Sequence, residues 1–273
     1  MLEQIKKTAD FLNDAVIEKP TIGIILGSGL GGLVNKIEKE KVIPYKEIPG
    51  FPVSTVEGHQ GALIFGKIGE VSVMAMQGRF HYYEGYSMQQ VVFPVRVMKM
   101  MGIDQLIVSN ASGGLNPDFK IGDLMIIEDH INMFGDNPLL GKNFEELGPR
   151  FPDMSEPYNR KLIEKALSIA SQESIDVKKG VYVGTCGPTF ETPAEYKMFR
   201  VLGGDTVGMS TVPEIIAARH AGMVCFGISI ITDSGVPGEI VEISHEEVQA
   251  VAAKAEPLMT KIIARLTAEF PKL

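Results

Sequence analysis

The chain has 273 residues, with 26 Lys plus Arg against 34 Asp plus Glu, so its formal net charge is −8. That length buries a substantial α/β core, no Ser/Pro/Gly-rich linker or charge block divides it, and a single domain spanning 1–273 is expected. The negative balance argues against a nucleic-acid surface, so any anion site has to be local. Cys186 and Cys225 are the two cysteines, far apart and outside any C-x-x-C spacing. A disulfide framework or structural zinc site is therefore not expected, nor a metal, and a reducing cytoplasm is the default.

The opening MLEQIKKTADFLNDAV places Leu2, Ile5, Ala9, Leu12 and Val16 at helical spacing and is charged throughout, which suits an amphipathic helix and not a signal peptide. The longest apolar run, near Ala221 to Ile231, is too short to span a bilayer and carries the β-branched residues of a buried strand. Ile22 to Leu26 reads as a strand running into GSGLGG at 27–32, a letter-for-letter G-x-G-x-x-G. A dinucleotide fold needs a full helix next, then a strand ending in an acid; here a short segment to Glu38 precedes the turn-rich KVIPYKEIPGFP. What survives is a glycine loop whose N–H groups, with the Ser28 hydroxyl, can cradle an anion.

After Glu57 to Gly61, which includes His59, two strands are expected at Ala62 to Phe65 and Val71 to Met76. QGRFHYYEGY at 77–86 then sets Arg79 and His81 two apart, able to aim at one anion, while Tyr83 offers a ring and a hydroxyl. An Arg79–Glu84 surface salt bridge is the alternative use of that arginine. Ser87-x-x-Gln90 caps a helix expected to reach Met101. Asp104 to Ser109 reads as a strand followed by the loop NASGGLNPD, whose glycines free the N–H groups near Ala111 and Ser112 for a ligand or simply make a turn. Asp123 to Ile131 is strand-like, residues 132–153 are irregular, and Pro157 to Gln172 is an amphipathic helix.

In TCGPTFETPAEY, 185–196, Thr192, Pro193 and Glu195 fit a capping box with proline at the first helical position. Glu191 is held just outside that helix start beside the Phe190 ring, suited to a planar ligand offering N–H donors, or equally to a solvated acid in a turn. Thr206 to Met209 is a brief strand before Ser210, and Thr211-x-x-Glu214 has the letters of another box, which sets Ser210 beside helix N–H donors. Met223 to Ile231 is a buried strand ending at Thr232 and Asp233. Ser244-x-x-Glu247 opens a long helix with Val248, Val251, Ala255, Leu258 and Ile262 on one face and a kink expected at Pro257. His245 falls at its first position, where the helix dipole disfavours the protonated ring. Strands leading into polar loops that end at capped helix starts are the pattern of ligand binding at the carboxyl edge of a largely parallel sheet.

The blocks GSGLGG, QGRFHYYEGY, NASGGLN, RFPDMS, GPTFETPAE, VGMSTVPE and HEEV, in this order from about Ile22 to Ile263, resemble the trimeric purine nucleoside phosphorylases, the low-molecular-mass class of the nucleoside phosphorylase fold. The resemblance implies a single α/β domain with a twisted, mixed, largely parallel sheet flanked by helices. It implies phosphorolysis: phosphate attacks C1′ of a purine nucleoside, releasing the base and a pentose 1-phosphate, with phosphate as co-substrate and no organic cofactor or metal. By that pattern Ser28, His59, Arg79, His81, the Ala111 N–H and Ser210 hold phosphate. Tyr83, Met209 and His245 fit the sugar, and Phe151 closes a neighbouring subunit's site in a cytoplasmic homotrimer. Phe190 and Val207 line the base, Glu191 accepts from N1–H, and His81, Glu191 and Asp233 are the expected catalytic groups.

Asp233 departs from the family pattern, which has Asn there in 6-oxopurine-specific members. An ionised Asp233 would face two acceptors, N7 and O6, so either it is protonated or the preferred base differs. Keeping such an acid neutral at pH 7 costs roughly 4 kcal/mol from an ordinary value near 3.9, and burial alone can raise a carboxyl by about 3 to 5 units. Inosine and guanosine are the expected substrates. Adenosine or methylthioadenosine is the alternative, and a noncatalytic nucleoside sensor and a nucleotide-cofactor oxidoreductase are further classes.

Overall fold

Strand ends gather at one edge of the sheet in the computed structural model, which describes residues 1–27, 30–53 and 61–270. Three apolar strands set that edge: β1 (Ile22–Leu26), β4 (Val71–Gln77) and β5 (Gln105–Gly114). β1 is parallel to both neighbours, with Leu26 opposite Gln77 and Ile25 opposite Val108, so the chain leaves β1 and β4 at the same level. All five residues of β1 are buried, as a strand covered on both faces requires.

On the far side of β4, β3 (Ala62–Ile68) forms an antiparallel hairpin with it, and β2 (Glu38–Pro44) is the outer strand. The hairpin turn is tighter than expected, because β3 runs on to Ile68. β2 lies where the sequence reads as turn-rich. Only Ile43 in it is buried, so this edge strand has no alternation to display, and Pro44 ends it where no ladder donor is needed.

The other half of the sheet comprises β6 (Leu124–Asn132), β7 (Val177–Gly184), β8 (Thr206–Gly208) and β9 (Val224–Ser234). The strand order is β2-β3-β4-β1-β5-β8-β7-β6-β9, and β9 also pairs with β5, so the last five strands close into a ring. The sheet is mixed: β5–β9, β6–β7 and β7–β8 are parallel, while β5–β8 and β6–β9 are antiparallel. β5 does not stop at Ser109 as expected. Pairing with β9 carries it through the Asn110 to Gly114 segment, and the same pairing extends β9 to Ser234. Gly113 consequently lies between Asp233 and Val207.

Seven helices flank the sheet among the described residues. α1 (Leu2–Ala15) buries Ile5, Ala9 and Leu12 as its spacing predicts, each large aliphatic contributing roughly 1.5–3 kcal/mol. The Ser87 box forms, but Pro94 restarts the helix, giving α2 (Met88–Val91) and α3 (Phe93–Met100) in place of one element. α4 (Arg160–Gln172) begins after Asn159, whose side chain caps Leu162, three residues later than Pro157. α5 (Pro193–Val201) has the expected box at Thr192, α6 is Val212–His220, and α7 (His245–Glu269) has the expected box at Ser244. The buried face of α7 is Val248, Ala252, Ala255, Met259 and Ile262; Leu258 is 47% exposed. The expected stripe thus drifts by one position at Val251 and Leu258, where Ala252 and Met259 face inward. α7 continues through Pro257, which stands exposed with Ala253, so water can take the carbonyl that proline leaves without a donor.

Candidate active site

The cleft opens at the carboxyl edge, encloses about 670 Å3 including its mouth, and is lined from β1, β4–α2, β5, β7–α5, β8, β9 and α7. Arg79, His81, Ala111 and Ser210 line it, as do Tyr83, Met209 and His245, and Phe190, Glu191, Val207 and Asp233. Ser28 and His59 lie outside the described residues. Phe151 does not line this cleft; its ring is 87% exposed on the segment before α4.

Arg79 leaves β4 after Gly78, whose φ of 108 turns the chain inward. Its guanidinium is fully buried. Nη1 donates to Ser210 Oγ at 2.6 Å and Thr211 Oγ1 at 3.3 Å, Nη2 donates to the Ser109 carbonyl at 2.7 Å, and Nε lies 3.4 Å from Glu214 Oε1. The alternative Arg79–Glu84 surface bridge is not what forms: Glu84 belongs to His81. Glu214, also buried, explains a second departure. Thr211 sits at φ 70 and makes no side-chain cap: its Oγ1 accepts from Arg79 and Asn110, and the carboxylate that would complete the box is drawn to Arg79. With Arg79 buried, leaving it without Glu214 would cost about 3–5 kcal/mol, more than a cap worth about 1 kcal/mol. Thr211 Oγ1 accepts from Asn110 Nδ2 at 2.8 Å, and Ser229 Oγ donates to Asn110 Oδ1 at 2.7 Å, so strands β5 and β9 buttress the cation.

His81 donates its backbone N–H to Glu84 Oε1 at 2.7 Å, and its Nδ1 is 3.2 Å from the same oxygen. Its ring stacks on Tyr83 with centroids 4.7 Å apart and 15° between planes. Burial pushes the imidazole pKa down, with Arg79 adding to it and Glu84 opposing, so the ring is neutral near pH 7. This end of the cleft therefore offers one permanent cation with hydroxyl and imidazole partners around it, the donor set an oxyanion needs.

The opposite end holds acids. Glu191 precedes α5 and accepts from Thr185 Oγ1 at 3.3 Å; its pKa is raised, chiefly by burial and further by the Asp233 charge. Asp233 is 8% exposed, accepts from Thr232 Oγ1 at 2.9 Å and from the Tyr196 hydroxyl at 3.4 Å, and is also raised by burial against those two donors. Half-exposed Phe190 and buried Val207 give this end apolar walls. His245 opens α7 at the rim, its Nε2 2.9 Å from Gln249 Nε2.

Several contributors escape sequence reasoning. Thr211 and Glu214 are visible there only as a cap, and Asn110 only as a loop residue. Tyr196 stands in the TCGPTFETPAEY run with nothing local to show that its hydroxyl meets Asp233, 37 residues on. Among the described residues no cluster of His, Cys, Asp and Glu could hold a metal ion, and no helix is long and apolar enough to cross a membrane.

Comparison with known proteins agrees with this geometry. Residues 21–268 match the family described as the Phosphorylase superfamily. The chain is 54% identical to purine nucleoside phosphorylase 1 of Geobacillus stearothermophilus over 252 residues, covering 92% of each protein. It is 50% identical to purine nucleoside phosphorylase 1 of Bacillus subtilis (strain 168) over 270 residues, covering 99% of this chain and 100% of that one. Among solved structures, Schistosoma mansoni purine nucleoside phosphorylase in complex with adenosine superposes with a TM-score of 0.92 at 44% identity, covering 97% of this chain and 96% of that one. Isoform 2 from the same organism, in complex with cytosine and ribose-1-phosphate, gives 0.94 at 44% identity, with 98% and 97% covered.

Proposed function

Because the chain belongs to the phosphorylase superfamily, among the purine nucleoside phosphorylases, we propose that it cleaves purine nucleosides with inorganic phosphate, as a pentosyltransferase of purine salvage. The observation that carries this reading is the polarity of the cleft, with a buried guanidinium at one end and two pKa-raised carboxyls at the other. Phosphate is the co-substrate, and 6-oxopurine nucleosides such as inosine and guanosine are the substrates.

The reaction forms a C1′–O bond to phosphate and breaks C1′–N9, whose electron pair leaves with the base. Positive charge grows on the sugar and negative charge on the purine, so the site has to hold a dianion on one side and donors on the other. Arg79, Ser210, His81 and the Ala111 N–H hold the phosphate, with Ser28 and His59 assigned to the same task. Tyr83, Met209 and His245 seat the sugar, His245 at its 5′-hydroxyl. Phe190 and Val207 sandwich the base, and ionised Glu191 accepts from N1–H. Asp233, raised by burial, donates in its neutral form to N7 and can pass that proton to N7 as the bond breaks.

A trimer in which each subunit closes its neighbour's cleft is part of this reading, with the exposed Phe151 ring as the side chain that would reach across. Two free thiols suit a cytoplasmic location. The test is release of hypoxanthine from inosine, followed with and without phosphate. Release that depends on phosphate and yields ribose 1-phosphate is expected. Nucleoside binding without turnover of inosine or guanosine would reduce the protein to a sensor.

A further inference from the structure

Thr211 is fully buried yet stands at φ 70, ψ −54, with the Val212 N–H donating to the Ser210 carbonyl at 2.7 Å. That is a γ-turn of the rare, strained hand, and a β-branched residue at positive φ is a true outlier. Such a conformation persists only where its surroundings over-determine it. Asn110 and Arg79 hold the side chain, and behind the turn the Ser210 N–H donates to the Tyr182 hydroxyl at 3.4 Å. The turn sets Thr211 Oγ1 3.2 Å from Ser210 Oγ, and of these two hydroxyl residues Ser210 alone lines the cleft.

A hydroxyl has one hydrogen to give and two lone pairs to receive. Thr211 Oγ1 receives from Asn110 Nδ2 at 2.8 Å and from Arg79 Nη1 at 3.3 Å, and an arginine can only donate. Both lone pairs are then filled, so among the described residues its own hydrogen has one acceptor in reach, Ser210 Oγ. Ser210 Oγ already receives from Arg79 Nη1 at 2.6 Å. With the Thr211 hydrogen added, its lone pairs are filled too, and what it has left to offer the cleft is its own O–H. The order runs one way, from the fixed amide and guanidinium donors through Thr211 to Ser210. The opposite direction would leave the Thr211 hydrogen buried without an acceptor.

We infer that Thr211 is a positioning residue that makes the Ser210 hydroxyl a donor only, so that the Arg79 end selects oxyanions by their acceptor oxygens. This rests on the assignment of phosphate to the Arg79 end. Without the Thr211 hydroxyl, Ser210 regains a free lone pair and its hydrogen can turn away from the anion. The strained turn thus has a use that a helix cap would not give, since a cap would spend Oγ1 on the N–H groups of α6.

The test measures inosine phosphorolysis and phosphate binding in the parent, Thr211→Val, Thr211→Ser, Ser210→Ala and the double variant of Thr211→Val with Ser210→Ala. Thr211→Val keeps the shape and should raise the phosphate KM about five- to tenfold, with kcat and the inosine KM held within about twofold. Thr211→Ser keeps the hydroxyl and should return the phosphate KM to within about twofold of the parent's. Adding Thr211→Val to Ser210→Ala should weaken phosphate no further. Sulfate, whose oxygens only accept, should compete with phosphate. Thr211→Val should weaken sulfate about threefold more than phosphate, which can turn its own P–OH toward the freed lone pair. Equal losses in kcat and both KM values, a Thr211→Ser variant as impaired as Thr211→Val, full additivity in the double variant, or equal weakening of the two anions would overturn the ordering. If Thr211→Val does not fold, Thr211→Gly takes φ 70 without strain and should show the same rise in phosphate KM; a parent-like value there contradicts the inference. Absence of inosine turnover would instead sink the phosphorolysis assignment, and calorimetric phosphate Kd values for the same variants would still decide the ordering.

Discussion

The two ends of the cleft are built on opposite principles. At the Arg79 end the charge is permanent and already held: a guanidinium buried against Glu214, two hydroxyls and a strand carbonyl. At the Glu191 end the charge is negotiable, because burial has pushed two carboxyls toward their neutral forms and placed a phenol beside Asp233. The first end fixes geometry before a ligand arrives. The second fixes which hydrogen-bond pattern a ligand must carry. An enzyme that accepts one constant anion and discriminates among bases has use for both.

The contrast breaks most severely at Arg79. Arg79→Ala should lower kcat/KM for phosphate by about 10²–10³. It should also destabilise the fold by about 3–5 kcal/mol, because Glu214 is left buried and uncompensated, which urea unfolding will read. Glu191→Ala should cost about 10–100-fold in kcat/KM for inosine while the KM for phosphate stays near the parent's. An equal effect on both substrates would erase the distinction between the ends.

Asp233→Asn sharpens the account by pH. The folded protein holds Asp233 above the ordinary carboxylate value, so the acid's contribution to stability is complete below about pH 4 and is lost as pH rises through the raised folded value. Asn cannot ionise. Its gain in unfolding free energy over the parent should therefore be larger at pH 7 than at pH 4, with inosine turnover kept within about tenfold. The alkaline fall of parent inosine activity that comes from Asp233 ionising should also be missing in the variant.

Thr192→Ala should produce the smallest change. Losing the cap of α5 costs about 1 kcal/mol, or roughly 2–4 °C in Tm, and leaves phosphate affinity unchanged because α5 touches only the base end.

The same division explains what could be read from the letters. Boxes at Ser87, Thr192 and Ser244 were legible because each is complete within a few residues, and all three form. Most of the cleft's lining was legible through family blocks, from Arg79 to Asp233. Thr211 and Glu214 show where local reading fails: the letters of a box are present, but a buried arginine from β4 takes the acid. β5 and β9 run beyond their apolar cores because each is the other's partner through Gly114 and Ser234, a pairing between segments more than a hundred residues apart. β2 gave no alternation because one buried residue cannot make a pattern. Tyr196 was out of reach for the same physical reason, since its partner is set by the closure of the ring of strands.

The most direct measurement is a crystal structure of the protein with phosphate and hypoxanthine bound together. The account predicts phosphate within hydrogen-bond distance of Arg79 and Ser210, and the purine with N1 at Glu191 and its N7 and O6 edge at Asp233. A purine seated at the Arg79 end, or phosphate bound away from Arg79, would contradict it.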